Sequence, residues 1–128
     1  MISNYLADQV KINSFANKLK MRSLKVSIEA CLECLLACER CITDCVKDAN
    51  HDCVALCRDC ADICTLCAKF EARGSVFSKK LHALCAEICN ACAIECAKHA
   101  DHHASCKECA EACRKCAEIC AQMTSVTA

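Results

Sequence analysis

The 128-residue chain contains no proline, no tryptophan, one glycine and only four aromatic residues. That composition lies far outside ordinary globular usage, and a single glycine leaves no glycine-rich loop to cradle a phosphate. An excess of charge of either sign is missing too, since sixteen basic residues balance sixteen acidic ones. The balance argues against a nucleic-acid groove or a polybasic membrane patch. No apolar stretch approaches the roughly twenty residues that span a bilayer, because charges interrupt every candidate. The opening segment MISNYLADQVKINSFANKLK lacks an uninterrupted apolar run, a basic cluster ahead of one, a twin arginine and a small-residue cleavage site. The expected location is therefore the cytosol. At 13.9 kDa there is room for one compact domain and no second lobe. No nucleophile-and-base constellation stands out, so no turnover chemistry is expected.

What the chain has in abundance is cysteine, 19 residues in all. A reducing cytosol keeps thiols free, and an odd number cannot be fully paired within one chain, which argues against a disulfide framework. The cysteines fall into four groups: Cys31, Cys34, Cys38, Cys41 and Cys45; Cys53, Cys57, Cys60, Cys64 and Cys67; Cys85, Cys89, Cys92 and Cys96; and Cys106, Cys109, Cys113, Cys116 and Cys120. Within each group the spacing alternates between three and four, the a/d seam of a heptad, which puts every thiol of a group on one stripe of an α-helix. The intervening Ala, Glu, Lys, Leu, Arg and Ile are mostly strong helix formers.

The spacing predicts helices near residues 22–48, 52–72, 76–99 and 102–123. Gly74 suits a left-handed helix end, and Asp52, Ser75 and Asp101 are the expected N-caps. Short connections force antiparallel neighbours, so the expected fold is all-α, an up-down-up-down four-helix bundle with a cysteine-lined core spanning residues 21–128. Residues 1–20 are read as an extension in which Ile2, Leu6, Val10, Phe15 and Leu19 form a further short helix laid against the bundle. Ile63, Ile88 and Ile119 flank the seam and help to close the core. Leu32, Leu35, Leu36, Ile42 and Val46 extend the apolar surface of the first helix beyond it, which predicts a second buried face and self-association with two-fold symmetry.

Cysteine as a small core filler is the plain alternative, but it packs less well than Leu and exposes the core to oxidation. Metal binding explains both abundance and register. Fully ionised thiols would place up to about nineteen negative charges in a low-dielectric core that has no Lys or Arg on the seam. Zinc at four thiolates each would supply roughly five ions and leave about nine negative charges. Monovalent Cu(I) bridged between thiolates approaches one ion per sulfur and a neutral core, and it accepts two- or three-coordinate sulfur. Seven CxxC and eight CxxxC pairs form a continuous ladder of such donors. Zinc buffering stays open as the main alternative. A thiol–disulfide oxidoreductase would need its CxxC after a strand, and an iron–sulfur carrier would hold its cysteines on loops.

The stretch LCAEICNACAIECAKHADHHASCKECAEACRKCAEICAQM, Leu84 to Met123, together with CADICTLC from Cys60 to Cys67, resembles the copper storage proteins, specifically their cytosolic branch without an export signal. The resemblance covers the four helices. It implies a Cys-lined bundle that stores many Cu(I) ions along its core and associates as a homotetramer. The chain departs from that pattern in its third helix, where four cysteines are preceded by His82 at the next seam position.

Non-cysteine donors lie at both ends of the expected bundle. His82, three before Cys85, and Met123, three after Cys120, continue their stripes at one end, where Leu24, Phe70 and Phe77 are expected to help close the tube. His51, His99, His102 and His103 gather at the other. His99 and His103 are on stripe, and His51 is expected to face solvent. The expected role of the histidine-rich end is a copper entrance, where imidazole binds Cu(I) more weakly than thiolate and passes ions inward; the resemblance likewise implies a histidine-bearing mouth.

Overall fold

The computed structural model describes residues 2–125. It contains four helices: α1 (Ile2–Lys47), α2 (His51–Ala72), α3 (Ser78–Ala97) and α4 (Ala104–Ser125). Each packs on its neighbours in sequence and α4 closes back onto α1, while the diagonal pairs meet through cysteine sulfurs on the axis, as Cys41 with Cys96 and Cys60 with Cys113. Turns of a few residues reverse the chain each time. The result is a square antiparallel bundle with one central axis, which every cysteine stripe faces.

All nineteen cysteines are at most 1% exposed and all are free. Ala30 and Ala37, Ala61 and Ala68, and Ala110 and Ala117, each pair seven residues apart, are buried beside the thiols. Small side chains at these flanking positions let the helices approach closely around the sulfur column. Ile63 is the one branched aliphatic side chain fully buried among the described residues, with Ile88 packed against the core from a half-buried position. Ile119 is also half-buried.

The amino-terminal segment differs from expectation. No separate short helix lies on the bundle; α1 runs as a single 46-residue helix. Leu6, Val10, Phe15 and Leu19 are 47–67% exposed, and the side chain of Ile2 lies outside the described residues. The cause is that no other element among the described residues of the chain stands beside them. The α2–α3 turn reaches only as far as the cleft it shares with Asn17, Lys20, Met21 and Leu24, and no Gly or Pro interrupts α1 before that level. Leu24 and Phe70 are half-buried at this end, whereas Phe77 is 57% exposed and plugs nothing.

The helix starts also differ. α2 is capped by Asn50, whose side chain accepts from the Cys53 backbone N–H at 3.4 Å, and Asp52 sits in the first turn, where its charge favours the helix dipole. This cap bonds the backbone of Cys53, the first residue of the stripe, which a start at Asp52 would not do. α3 begins after Phe77 with no side-chain cap; Ser75 Oγ accepts from the Phe77 N–H within the preceding turn. Asp101 lies in the turn before α4 and caps nothing. Gly74 is left-handed with φ of 66°, as expected, and Ala49 shares that region at 55°.

Candidate metal centre

Each cysteine stripe comes from one helix, so the functional unit is the level at which four stripes meet. Cys31, Cys67, Cys85 and Cys120, one from each helix, bring their sulfurs within 4.8 Å of one another, and Cys34, Cys64, Cys89 and Cys116 do the same one level along. Further quartets are Cys34, Cys38, Cys60 and Cys113; Cys38, Cys57, Cys92 and Cys109; and Cys41, Cys57, Cys96 and Cys109. At the far level Cys41 and Cys106 sulfurs are 3.4 Å apart, Cys45 and Cys106 3.7 Å, and Cys45 and Cys53 2.9 Å. Every predicted cysteine ligand is therefore in one column, and several thiols belong to two quartets at once.

Typical sulfur pairs along the column are 3.5–4.0 Å apart, as for Cys60–Cys89 and Cys31–Cys120. With metal–sulfur bonds of about 2.3 Å, that separation is spanned at roughly 100–120°, and about 4.6 Å is needed for a near-linear pair. Trigonal, tetrahedral and linear sites are thus all within reach. What distinguishes the column is sharing: a thiol that serves two quartets must bridge two ions, which suits clustered monovalent metal better than closed four-thiolate zinc sites.

Charge points the same way. Among the described residues the only buried polar or charged ones are Ser27, Glu71 and His82, so no Lys or Arg is available to neutralise a thiolate. Burial is the first cause that pushes the thiols of Cys45, Cys53 and Cys106 up. Hydrogen bonds between neighbours then differentiate the ladder. The contact with Cys116 holds Cys120 down to about 5, and that with Cys113 lowers Cys60. A proton lost at one sulfur strengthens its neighbour's hold on its own. Only an incoming cation can relieve many sulfurs at once, and soft sulfur donors select soft metal.

The histidines divide as the sequence indicates. At the Cys45 and Cys53 end, His99 Nε2 lies 2.7 Å from Asn50 Nδ2 and 3.3 Å from Glu95 Oε1. His103 Nε2 is paired with the Asp48 carboxylate, a hydrogen bond that raises His103 and lowers Asp48. Glu95 is lowered by Lys98 first and by His99 second. Both rings are about a quarter exposed, while His51 and His102 face solvent. His82 is buried at the opposite end, and Met123 is half-buried beside it. Sequence reasoning missed Asp48, Asn50, Glu95 and Glu71. Glu95, one turn before His99, carried a detectable signal; the other three are brought to their rings only by the turns.

Fold and site together define a helical bundle whose core is a multi-thiolate metal-binding tube. The copper storage protein profile matches residues 20–125. Among solved structures, the apo form of copper storage protein 3 from Bacillus subtilis is 46% identical over 79% of this chain and 98% of that one, with a TM-score of 0.74. The Cu(I)-bound copper storage protein BsCsp3 is 43% identical over 80% and 99%, with a TM-score of 0.76. A cytosolic copper storage protein from Streptomyces lividans, solved with five coppers, is 33% identical over 87% and 99%, with a TM-score of 0.81. No protein of curated function matches. The chain belongs to the copper storage protein family.

Proposed function

We propose that this protein stores and sequesters Cu(I) in the cytosol, binding roughly one ion per cysteine by bridging thiolates. The observation that carries the reading is a continuous column of nineteen buried free thiols, arranged in overlapping quartets without a buried Lys or Arg to offset their charge. Holding rather than converting metal is the role; no turnover is assigned. Ions enter past His99 and His103, which stand at the level of Cys45 and Cys53 and exchange Cu(I) more readily than thiolate does. Cytosolic placement is supported by the likeness to the cytosolic copper storage protein from Streptomyces lividans.

The protein works as a homo-oligomer, a tetramer as the resemblance implies. Leu32, Leu36 and Val46 leave 44–58% of their surface exposed on the outer face of α1, apolar side chains that a partner would cover. Zinc buffering is the second reading, favoured by the quartets of sulfurs within 4.8 Å. Anaerobic titration with Cu(I), and separately with Zn(II), against competing chelators tests both. Uptake near nineteen Cu(I) per chain supports storage, and tight uptake of zinc with only a handful of Cu(I) overturns it.

A further inference from the structure

We infer that the end of the bundle opposite the histidine mouth holds its own Cu(I) site with a nitrogen donor, His82 Nε2, kept in ligating form by Glu71 and Ser78. The inference rests on the Cu(I)-storage reading. His82 is 1% exposed, and its Nδ1 lies 2.8 Å from the Ser78 carbonyl oxygen and 3.3 Å from Glu71 Oε2. A carbonyl oxygen can only accept, so Nδ1 carries a proton and donates it. In the neutral ring the lone pair is then on Nε2. That atom is buried and has no hydrogen-bond partner.

Buried polar atoms without partners are rare and costly. Protonating the ring does not relieve this one, since an Nε2–H would be a buried donor with no acceptor. A cation does relieve it. The arrangement of carboxylate, Nδ1–H and free Nε2 is the one by which proteins fix the tautomer of metal-binding histidines. Glu71, only 7% exposed, has the His82 ring as the partner of its carboxylate. It is brought there by the α2–α3 turn, and the metal tube gives this buried acid no other use.

Register supplies the remaining donors. His82 is three residues before Cys85 on the inward stripe of α3, and Cys85 belongs to the terminal quartet with Cys31, Cys67 and Cys120. Met123, three residues after Cys120, lines with His82, Glu71 and Ser78 a cavity of about 320 Å³, which adds a soft thioether at this end. The two ends therefore differ in kind. The Nε2 atoms of His99 and His103 are engaged with Asn50, Glu95 and Asp48, so copper must displace existing bonds there. His82 Nε2 is free and pre-arranged, so its ion is retained, not exchanged.

The test is long-range 1H–15N NMR of the histidine rings in the apo protein and after anaerobic saturation with Cu(I). The apo spectrum should show His82 as the Nδ1–H tautomer, and loading should shift its Nε2 signal. In parallel, His82→Ala should lower capacity by about one ion, with His82→Cys restoring it. Glu71→Leu should leave the total unchanged while weakening that ion by about 10–100-fold. A wild-type protein that fills to near its cysteine count while His82 Nε2 stays unmoved overturns this site and leaves storage intact. Uptake of only a few ions overturns the storage reading and this one with it. The wild-type spectra decide the matter even where a substituted chain does not fold.

Discussion

Loading the apo protein anaerobically with Cu(I) at pH 7 should release close to one proton per ion bound. An ordinary thiol with a pKa near 8.5 is only about 3% ionised at that pH, and burial moves Cys45, Cys53 and Cys106 further from ionisation. Hydrogen bonding lowers others, Cys120 to about 5 among them. Many simultaneous thiolates in a core without a buried Lys or Arg would nevertheless carry a prohibitive desolvation cost. The column therefore stays near neutral before metal arrives, and each monovalent ion that enters replaces a proton. Affinity must then rise with pH. For one proton released per ion, the apparent dissociation constant falls about tenfold per pH unit, about 1.4 kcal/mol per ion, until the apo thiols themselves ionise. Acidification has the opposite sign and drives copper out. Calorimetry in two buffers of different ionisation enthalpy gives the ratio directly. A value near one half or lower would mean that the thiolates exist before metal binds, and the charge argument for Cu(I) would fail.

Replacing His99 and His103 with Ala should slow Cu(I) uptake in stopped-flow measurements while leaving final capacity unchanged; an unaltered rate would remove them from the entrance. Gly74→Ala should destabilise the apo protein by about 1 kcal/mol in chemical denaturation, because the position has φ of 66° but nothing within 4 Å of an added Cβ; a neutral result would mean that the turn relaxes. Leu32→Glu with Leu36→Glu should dissociate the oligomer in sedimentation experiments without changing copper per chain, since both side chains point away from the sulfur column.

Most of the metal site could be read from the sequence because the heptad stripe and the coordination geometry are the same pattern. A thiol every three or four residues fixes a face, short turns fix antiparallel order, and together they dictate that Cys31 meets Cys67, Cys85 and Cys120. Leu32, Leu36 and Val46 lie on the exposed face of α1 that the helical wheel gave, whereas Leu35 and Ile42, expected on that same face, pack against the core. The ends were less legible. Asn50 and Asp48 reach His99 and His103 through the α1–α2 turn, and Glu71 meets His82 across the α2–α3 turn. These pairings depend on where a turn sets the next helix, which periodicity does not encode. Residues 1–20 had a helical pattern that stood without the neighbour expected for it, since amphipathicity reports an apolar face and not what covers it.

Native mass spectrometry of the fully reduced protein, loaded anaerobically with excess Cu(I) and desalted, tests the central claim most directly. A dominant species carrying near nineteen copper ions per chain is the predicted result. A dominant species with about five or fewer would contradict it, because a column of shared thiolates cannot be neutralised by so few monovalent ions.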